Sequence, residues 1–270
     1  MISIICVYND RRVLEDYLLK SLADQTADYE LIAIDNRSMD FRSASRALNH
    51  GWRRAKGEYI MFVHQDVDLH SRTWLADSEK MLDALPGPWV AGVAGCSENG
   101  IATIMEHGVP PRSPADIVID GPVKVQTVDE CLVLVRRDLP DVPEFDEDLC
   151  DGWHLYAADL CLRCKMRGFE VYALPLYVYH LSRGGANKNI LEALLSLSLY
   201  PKEYYTTLEK LLHRYGNHYQ RIYTTCGVWD TSKPLLLQRC LRFLDSGPRY
   251  AADKIRRWIT RHIDRLARRA

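Results

Sequence analysis

The residues best suited to chemistry follow the apolar run Tyr59 to Val63, in the order His64, Gln65, Asp66 and Asp68. Two carboxylates two positions apart suit a hard divalent cation, which prefers oxygen ligands and bridges substrate phosphates. A strand followed by an acidic turn, with Asp66 as a cap, would need the same residues without any metal. Since Asp-x-Asp tripeptides are common, the spacing alone leaves both interpretations open.

A second group of candidate residues lies between Ser182 and Lys188, where two adjacent glycines stand between the cations Arg183 and Lys188. Such a loop, placed after a polar sheet edge, can close over a phosphate group. A simple linker would have the same composition. The sequence therefore predicts either a phosphate-binding loop or a connection here.

The elements that must position the first cluster form a β-α-β-α-β pattern, in which each strand ends in polar residues. In order, they are a strand over Ile2–Val7, a helix over 11–24, a strand over Tyr29–Asp35, a helix over Ser43–Lys56 ended by Gly57, and a strand over Tyr59–Val63. Right-handed crossovers bring the carboxyl ends of such strands to one edge of a parallel sheet, where ligands bind. The side chains expected in that crevice are Asn9, Asp35, Asn36, Asp66 and Asp68.

The rest of the first 188 residues continues the α/β pattern. It is predicted to contain a helix over Thr73–Leu85, a strand over Trp89–Gly95, strands over Lys124–Val128 and Cys131–Val135, a helix over Leu155–Gly168, a strand over Phe169–Leu174 and an extended piece over Tyr177–His180. Residues 96–122 are rich in Gly and Pro and show no clear element, so we expect a surface excursion there.

After Asn189 the pattern becomes helical, over residues 190–215 and 233–245. The last segment, 248–270, holds eight Lys or Arg against two Asp, with its apolar residues on one helical face. A basic amphipathic helix of this kind suits an anionic membrane surface. It would equally suit docking on the body of the protein or on a partner subunit.

Composition excludes several classes of protein. The chain has 270 residues, 47% of them hydrophobic, which is enough for one large domain or for a domain with an appendage. A net charge of −1 gives no basic field for nucleic acid, and no Gly-x-Gly-x-x-Gly follows the first strand, which argues against a dinucleotide site. No apolar run reaches the roughly 18 residues of a membrane span, and Met1 leads into a strand with no signal-peptide pattern.

The eight cysteines are scattered, and several fall in apolar runs, as expected of reduced and buried thiols in a cytosolic protein. Cys161 and Cys164 form a C-x-x-C within a helical pattern. With no second pair nearby, this spacing does not favour a zinc or redox site.

Four stretches of the chain together resemble the large inverting GT-A glycosyltransferase family, family 2. The stretch Ile2–Asn9 resembles its opening strand, and 31–40 resembles its second strand and Asp-Asp-Gly-Ser-Thr-Asp loop. Residues 49–60 match the approach to its metal motif. Asp159–Arg163, Gly168-Phe169, Pro175 and Tyr179-His180 resemble its C-terminal half. The resemblance covers about residues 1–185, and the order and spacing of the pieces make it specific.

The resemblance implies a GT-A fold: an α/β, mostly parallel sheet flanked by helices, here with a helical C-terminal extension. It also implies a nucleotide-sugar donor and a divalent metal, Mn²⁺ or Mg²⁺. The implied donor-binding residues are Tyr8, Asn9, Asp35, Asn36, Arg46, His64, Gln65, Arg183 and Lys188. The resemblance implies Asp66 and His180 as metal ligands, and Asp68, which is extra to the family motif, is predicted as a third ligand from its spacing alone. Trp153, in the loop with Asp151, is predicted to stack on the acceptor sugar.

Two departures from the family pattern change the expected chemistry. His64-Gln65-Asp66 replaces Asp-x-Asp, so that Asp66 alone falls on the acid that family members use on the metal. The usual base, the first Asp of Glu-Asp-x-Asp-Leu, is Ala157 here, and alanine cannot take a proton. Inverting transfer still needs a base within hydrogen-bond reach of the acceptor hydroxyl. The candidates are Asp151 and His154, ranked first, and then Asp159.

Each candidate base also has a structural explanation. Asp151 can cap the helix that follows it, His154 can bond to backbone, and Asp159 can pair with Arg163 one turn later.

The sequence thus predicts a glycosyltransferase that moves a sugar, with UDP-sugar as the expected donor, to a hydroxyl of a surface polysaccharide or glycolipid. Its GT-A domain would span 1–188, with a donor half over 1–95 and an acceptor half over 96–188. A helical extension over 189–270 would follow. The expected location is the cytoplasm, with the inner face of the membrane and a homo-oligomer as open alternatives. The rival functions are a nucleotidyltransferase and a binding or assembly subunit that lost its base at Ala157.

Overall fold

The computed structural model describes residues 1–137, 142–182 and 199–245. Contacts divide the chain into two compact units. The first comprises Met1–Arg183 and Arg221–Val228, and the second comprises Gly184–Gln220 and Trp229–Ala270. The predicted domain boundary at 188 falls outside the described residues.

The part of the first unit that precedes residue 184 contains thirteen β-strands among the described residues. They are β1 Ile2–Tyr8, β2 Tyr29–Asp35, β3 Tyr59–Val63, β4 Val67–Asp68, β5 Trp89–Gly92, β6 Ala94–Ser97, β7 Gly100–Thr103, β8 Glu106–His107, β9 Val123–Lys124, β10 Thr127–Val128, β11 Leu132–Arg136, β12 Glu170–Ala173 and β13 Tyr179–His180. Two more, β14 Arg221–Thr224 and β15 Gly227–Asp230, lie where the chain passes from one unit to the other.

The helices flank these strands in the order that the sequence predicts. A helical segment is α-helical over Arg11–Leu14 (α1), π-helical over Glu15–Leu19 and α-helical again over Lys20–Leu22 (α2). The next helices are α3 Ala44–Trp52, α4 Trp74–Asp83 and α5 Tyr156–Met166. In the second unit, α6 spans Lys202–Tyr215 and α7 spans residues 235–245, where the described part of the chain ends.

A seven-stranded sheet in the order β2-β1-β3-β11-β5-β12-β9 forms the centre of the first unit. The strands β2, β1, β3, β5 and β12 run in one direction, and β11 and β9 run against them. All five residues of β3 are buried, as expected of a strand with both faces covered. The predicted α/β class, with a large and mostly parallel sheet between helices, is confirmed.

The parallel pairing of β1 with β2 and with β3 brings the carboxyl ends of three strands to one edge. Tyr8, at the end of β1, pairs with Asp35, at the end of β2, and the amide of Asn36 donates to the carbonyl of Tyr8 at 2.8 Å. The predicted crevice therefore starts from a fixed register.

The prediction of a surface excursion over 96–122 was wrong in part. This region contains β7 and β8, each in a separate three-stranded sheet, ordered β10-β6-β7 and β4-β13-β8. Ala102 and Met105 are almost completely buried there. Both strands are short, and β7 begins with a glycine, so they lack the alternating pattern by which strands are recognised in a sequence.

The predicted helix over 43–56 was too long, because α3 ends at Trp52, a turn covers residues 53–54, and residues 55–56 have no regular structure. Gly57 is therefore not the helix stop that the sequence indicates. A Cβ at Gly57 would lie 2.6 Å from the backbone nitrogen of Ser3, so glycine is needed for close approach to β1.

The second unit has its own buried residues. Leu208 and Leu211 of α6 and the ring of Trp229 have no exposed surface, and Tyr215 is nearly as buried. Across residues 1–137, 142–182 and 199–245, no helix is both long and apolar enough to cross a membrane.

Candidate functional site at the carboxyl edge of the sheet

A pocket of about 180 Å³ opens where β1, β2 and β3 end. Val7, Leu48, Phe62 and Val63 are among its apolar lining residues. The predicted site residues that line it are Tyr8, Asn9, Asn36, His64, Gln65, Asp66 and Trp153. An apolar pocket with a few convergent polar groups is typical of a small-molecule site.

Gln65 holds two strand ends together. Its Oε1 accepts hydrogen bonds from the backbone N–H groups of Asn9 and Asp10, both at 3.0 Å, and its Nε2 donates to Asn9 Oδ1 at 2.8 Å. The loop after β1 is thereby fixed to the loop after β3. A glutamine is needed here because both an acceptor and a donor are used.

The loop after β2 is shaped by two other side chains. Asn36 is buried, and its amide exchanges hydrogen bonds with the backbone of Phe41 in both directions, at 2.9 and 3.1 Å. Asp35 accepts a two-pronged contact from Arg37, which with a further bond from the Arg37 backbone lowers the pKa of Asp35. The Arg37 guanidinium also lies 6.0 Å from the centre of the Tyr8 ring.

Asp66, which lines the pocket, forms an ion pair with His180, which is not among the lining residues. His180 Nε2 lies 3.2 Å from Asp66 Oδ1. The antiparallel pairing of β4 with β13 sets His180 opposite Val67, next to Asp66. Burial would raise the pKa of Asp66, but the hydrogen bond and charge of His180 outweigh it and hold the pKa at about 2. Burial opposes the charge on His180 too, yet its bond to Asp66 raises its pKa.

His64 lies beside this pair, with its ring centre 5.4 Å from that of His180. Its Nε2 is 2.9 Å from the hydroxyl of Tyr156, which also contacts the carbonyl of Glu130 at 3.3 Å. Burial, and then the charge of His180, lower the pKa of His64 to about 4, so this imidazole is neutral near neutral pH.

His64, Asp66 and His180 could together hold a metal ion, because one ligand atom from each lies within 4.8 Å of the others. Two imidazoles and a carboxylate are suitable donors for a divalent transition metal. Asp68 is outside this group and accepts a hydrogen bond from the backbone of His70 at 2.7 Å. The residues present thus fit a metal bound by His64, Asp66 and His180, with His64 in place of the predicted Asp68.

The loop before α5 brings the second polar cluster to the pocket. The amide of Ala44 donates to the carbonyl of Gly152 at 3.0 Å, which fixes this loop to the start of α3. Trp153 lines the pocket and remains 37% exposed. His154 is close enough for its charge to lower the pKa of His64, and Asp151 is exposed.

The helix α5 itself presents no carboxylate to this pocket. Ala157, at the position of the family base, has no exposed surface. Asp159 is also completely buried, and its Oδ2 is 2.7 Å from Arg163 Nε. This geometry favours the structural explanation for Asp159, and we retain Asp151 and His154 as the candidates for a base.

Two predicted donor residues, Arg46 and Asp35, do not line the pocket, and two more cannot be placed. Arg46, which is exposed, lies 3.6 Å from Glu147. Arg183 and Lys188 lie outside the described residues. Asp35 is exposed at the end of β2, beside Tyr8 but not in the lining of the pocket.

Four residues that the sequence analysis did not assign to the site lie close to it. Tyr156 lines the pocket and contacts His64. Asp129 and Cys131, with His180, form a second group able to hold a metal. Glu130 is near the start of α5: burial raises the pKa of its carboxyl, and the backbone of Leu155 and Tyr156 partly opposes this rise. The one available signal was the acidic pair Asp129-Glu130 between two strand patterns.

No family model matches the chain. It is 31% identical over 176 residues to the protein named ATP synthase subunits region ORF 6 of Fuscovulum blasticum. That match covers 59% of this chain and 66% of the relative, just under two thirds of its length. The name of the relative states no activity.

The chain is similar to several solved structures, one of which is a mannosyltransferase. The mannosyltransferase PcManGT from Pyrobaculum calidifontis, in complex with GDP-Man and Mn²⁺, matches with a TM-score of 0.52 and 14% identity, over 97% of this chain and 80% of that one. S. aureus TarS 1–349 in complex with UDP-GlcNAc gives a TM-score of 0.49 and 16% identity, over 81% of this chain and 73% of that one. At such identity the likeness to PcManGT is one of fold, and the chain has a GT-A-like fold.

Proposed function

We propose that this protein is a glycosyltransferase that takes a sugar from a nucleoside diphosphate sugar and transfers it to a hydroxyl acceptor. The observation that carries the proposal is the pocket where β1, β2 and β3 end, lined by Tyr8, Asn36 and Asp66. Parallel α/β sheets bind nucleotides at this edge. The GT-A-like fold supports the same function, and PcManGT, which has that fold, is described with GDP-Man and Mn²⁺.

In this proposal the donor base lies between Tyr8 and Asn36, and the diphosphate lies toward Asp66. The bound metal would be held by Asp66 and His180, and it would supply positive charge to the departing diphosphate. Asp151 or His154 would take the proton from the acceptor hydroxyl, and Trp153 would stack on the acceptor sugar. UDP-sugar and inversion remain our expectations for the donor and the stereochemistry.

A binding or assembly subunit is the second candidate, favoured by the buried methyl group of Ala157 where the family places its base. This alternative keeps the donor site and loses turnover. Donor binding and sugar transfer must therefore be measured separately.

The test is calorimetric titration with uridine and guanosine diphosphates and their sugars, with and without Mn²⁺, followed by a transfer assay on hydroxyl acceptors. We expect one nucleotide to bind, with an affinity that Asp66→Ala lowers while the fold stays intact. We expect Asp151→Asn or His154→Ala to abolish transfer without loss of donor binding, and Asp159→Asn to retain a measurable rate. Absence of binding by every nucleotide would refute the proposal, and binding without transfer to any acceptor would favour the second candidate.

A further inference from the structure

Helix α7, over residues 235–245, exposes four of its leucines, whereas Phe243 of the same helix is buried. Leu236, Leu237, Leu241 and Leu244 are 68%, 49%, 56% and 70% exposed. At 3.6 residues per turn these four side chains fall within an arc of about 140°, and we call them the leucine face. A surface helix normally shows the opposite arrangement, with polar residues outward.

The inward side of α7 carries three polar residues beside the buried Phe243, and each of the three makes contacts there. Gln238 is 8% exposed; its Nε2 donates to the carbonyls of Asp230 and Lys233 at 2.8 and 3.0 Å, and its Oε1 accepts from the Asp230 amide. The guanidinium of Arg239 lies 4.3 Å from the centre of the Tyr205 ring, and that of Arg242 lies 4.7 Å from the Trp229 ring. These contacts fix the rotation of the helix, so the leucine face is held outward.

Four large aliphatic side chains along one stripe form a contiguous exposed apolar patch. Exposed apolar patches of this kind on a protein surface mark contacts with a partner protein or with a membrane. Scattered apolar residues elsewhere, such as Val118 on the first unit, need no such explanation.

The charge of the sequence that follows α7 indicates which of these two partners fits. Residues 248–270 hold eight Lys or Arg and two Asp, while the whole chain has a net charge of −1, so the sequence shortly after α7 carries a local excess of positive charge. Ile255, Trp258 and Ile259 are spaced in this segment as on one face of a helix. Docking on another part of the protein requires an apolar stripe but not this excess of cations, whereas an anionic lipid surface attracts both.

We propose that the leucine face of α7 binds the surface of a membrane that contains anionic phospholipids. The leucines enter the boundary between headgroups and acyl chains, and the positive charge of the sequence that follows α7 favours anionic lipid over neutral lipid. The proposal does not depend on the sugar-transfer function, since it concerns another unit of the chain.

The test is co-sedimentation of the full chain with phosphatidylcholine vesicles that contain or lack phosphatidylglycerol. We expect binding to the anionic vesicles that weakens with added salt, and little binding to the neutral ones. Leu237→Glu and Leu241→Glu should each lower the partition coefficient about tenfold, because they place a charge in the apolar contact. Val118→Glu adds the same charge at a 79% exposed position of the first unit and should leave binding unchanged.

Circular dichroism and thermal unfolding of each variant show whether it remains folded, and light scattering gives the oligomeric state. No binding to anionic vesicles by the wild type would overturn the proposal. So would leucine variants that remain folded and bind as tightly as the wild type. A wild-type dimer that the leucine variants convert to a monomer, without vesicle binding, would show instead that the face joins two copies of the chain.

Discussion

At the scale of single residues, Gln65 organises the site although its side chain is uncharged. It connects the loops after β1 and β3 through three hydrogen bonds and contacts no charged group in doing so. The two backbone N–H groups that it satisfies are exposed, so water can replace it. Its main role is therefore to position Asn9 and Asp66 relative to each other.

We predict that Gln65→Ala weakens nucleotide binding much more than it destabilises the fold. Loss of the fixed loop should lower nucleoside diphosphate affinity about tenfold, a change of about 1.4 kcal/mol. The free energy of unfolding should fall by only about 0.5–1.5 kcal/mol, as for solvated hydrogen bonds. Calorimetry and urea unfolding measure the two quantities.

The matched control is Gln126→Ala. Gln126 also bridges two segments, donating to the carbonyl of Arg221 at 3.0 Å and accepting from the Tyr223 amide at 2.6 Å, but it does not line the pocket. It should change stability and leave affinity unaltered. Equal losses of affinity in both variants would mean that Gln65 acts only through general stability.

At the scale of elements, helix α3 packs unusually close to the sheet at Gly51. A Cβ at this position would lie 2.6 Å from Ile5 Cγ2 and 3.1 Å from Ile34 Cδ1. The absence of a side chain lets the helix that leads to the pocket approach β1 and β2. The sequence shows a glycine within a helical pattern, and its reason appears only in the packing.

We predict that Gly51→Ala destabilises the protein, although alanine is the better helix former by about 1 kcal/mol. The overpacked methyl group should lower the free energy of unfolding by about 1–3 kcal/mol, as measured by urea denaturation. His50→Ala, at an exposed position of the same helix, should change it by less than about 0.5 kcal/mol. A stabilised Gly51→Ala variant would show that the helix can shift away from the sheet at little cost.

The edge strand β2 is fixed to the turn before β3 through Glu30. Its carboxylate accepts hydrogen bonds from Ser3 Oγ at 2.6 Å and from the Lys56 amide at 2.8 Å, and these bonds lower its pKa. A lowered pKa means that the carboxylate stabilises the fold fully above its unfolded value. That stabilisation is lost as the pH falls through the folded value.

We predict that the melting temperature of Glu30→Gln falls less steeply than that of the wild type below about pH 4.5, where this carboxylate takes up its proton. Glu98→Gln, at an exposed turn between β6 and β7, removes the same charge and should retain the wild-type slope. If the melting temperatures of the wild type and Glu30→Gln fall with pH at the same slope, this carboxylate does not contribute to the loss of stability in acid.

At the scale of the whole molecule, the first unit is not a continuous piece of chain. Arg221–Val228 returns to it, and there the Thr127 hydroxyl donates to the carbonyl of Tyr223 at 2.6 Å and that of Thr225 to Asp129. Asp129 is one of the groups near His180. The returning segment therefore helps to position Asp129, which lies near the candidate metal ligand His180.

We predict that a chain truncated after residue 188, the domain boundary expected from the sequence, unfolds at a lower temperature than the full chain. It lacks the acceptors and donors that residues 126–129 use, and each buried group left unpaired costs about 1–3 kcal/mol. A chain that ends after residue 245 retains them and should keep the melting temperature of the first unit. Equal melting temperatures for both truncations would show that the returning segment adds nothing to stability.

The sequence predicted the sheet that carries the site better than the details of the site. The patterns over β1, β2 and β3 are strongly apolar and end in polar residues, so their bounds and the shared crevice followed directly. Asp66 and His180 meet through the pairing of β4 with β13, two strands of two residues each, which no periodicity can reveal. Tyr156 and Glu130 were missed because their roles depend on one hydrogen-bond network.

The burial of the cysteines has a practical consequence for chemical labelling. Of the eight, only Cys226 and Cys240 are partly exposed, and burial raises the pKa of the thiols at Cys161 and Cys164 to about 12. A thiol-directed fluorophore should therefore attach to the native protein at Cys226 and Cys240 alone, without any engineered cysteine. Because Cys240 lies on α7 among the exposed leucines, such a label, with Cys226→Ser in the background, would report the polarity around that helix as lipid or partner is added.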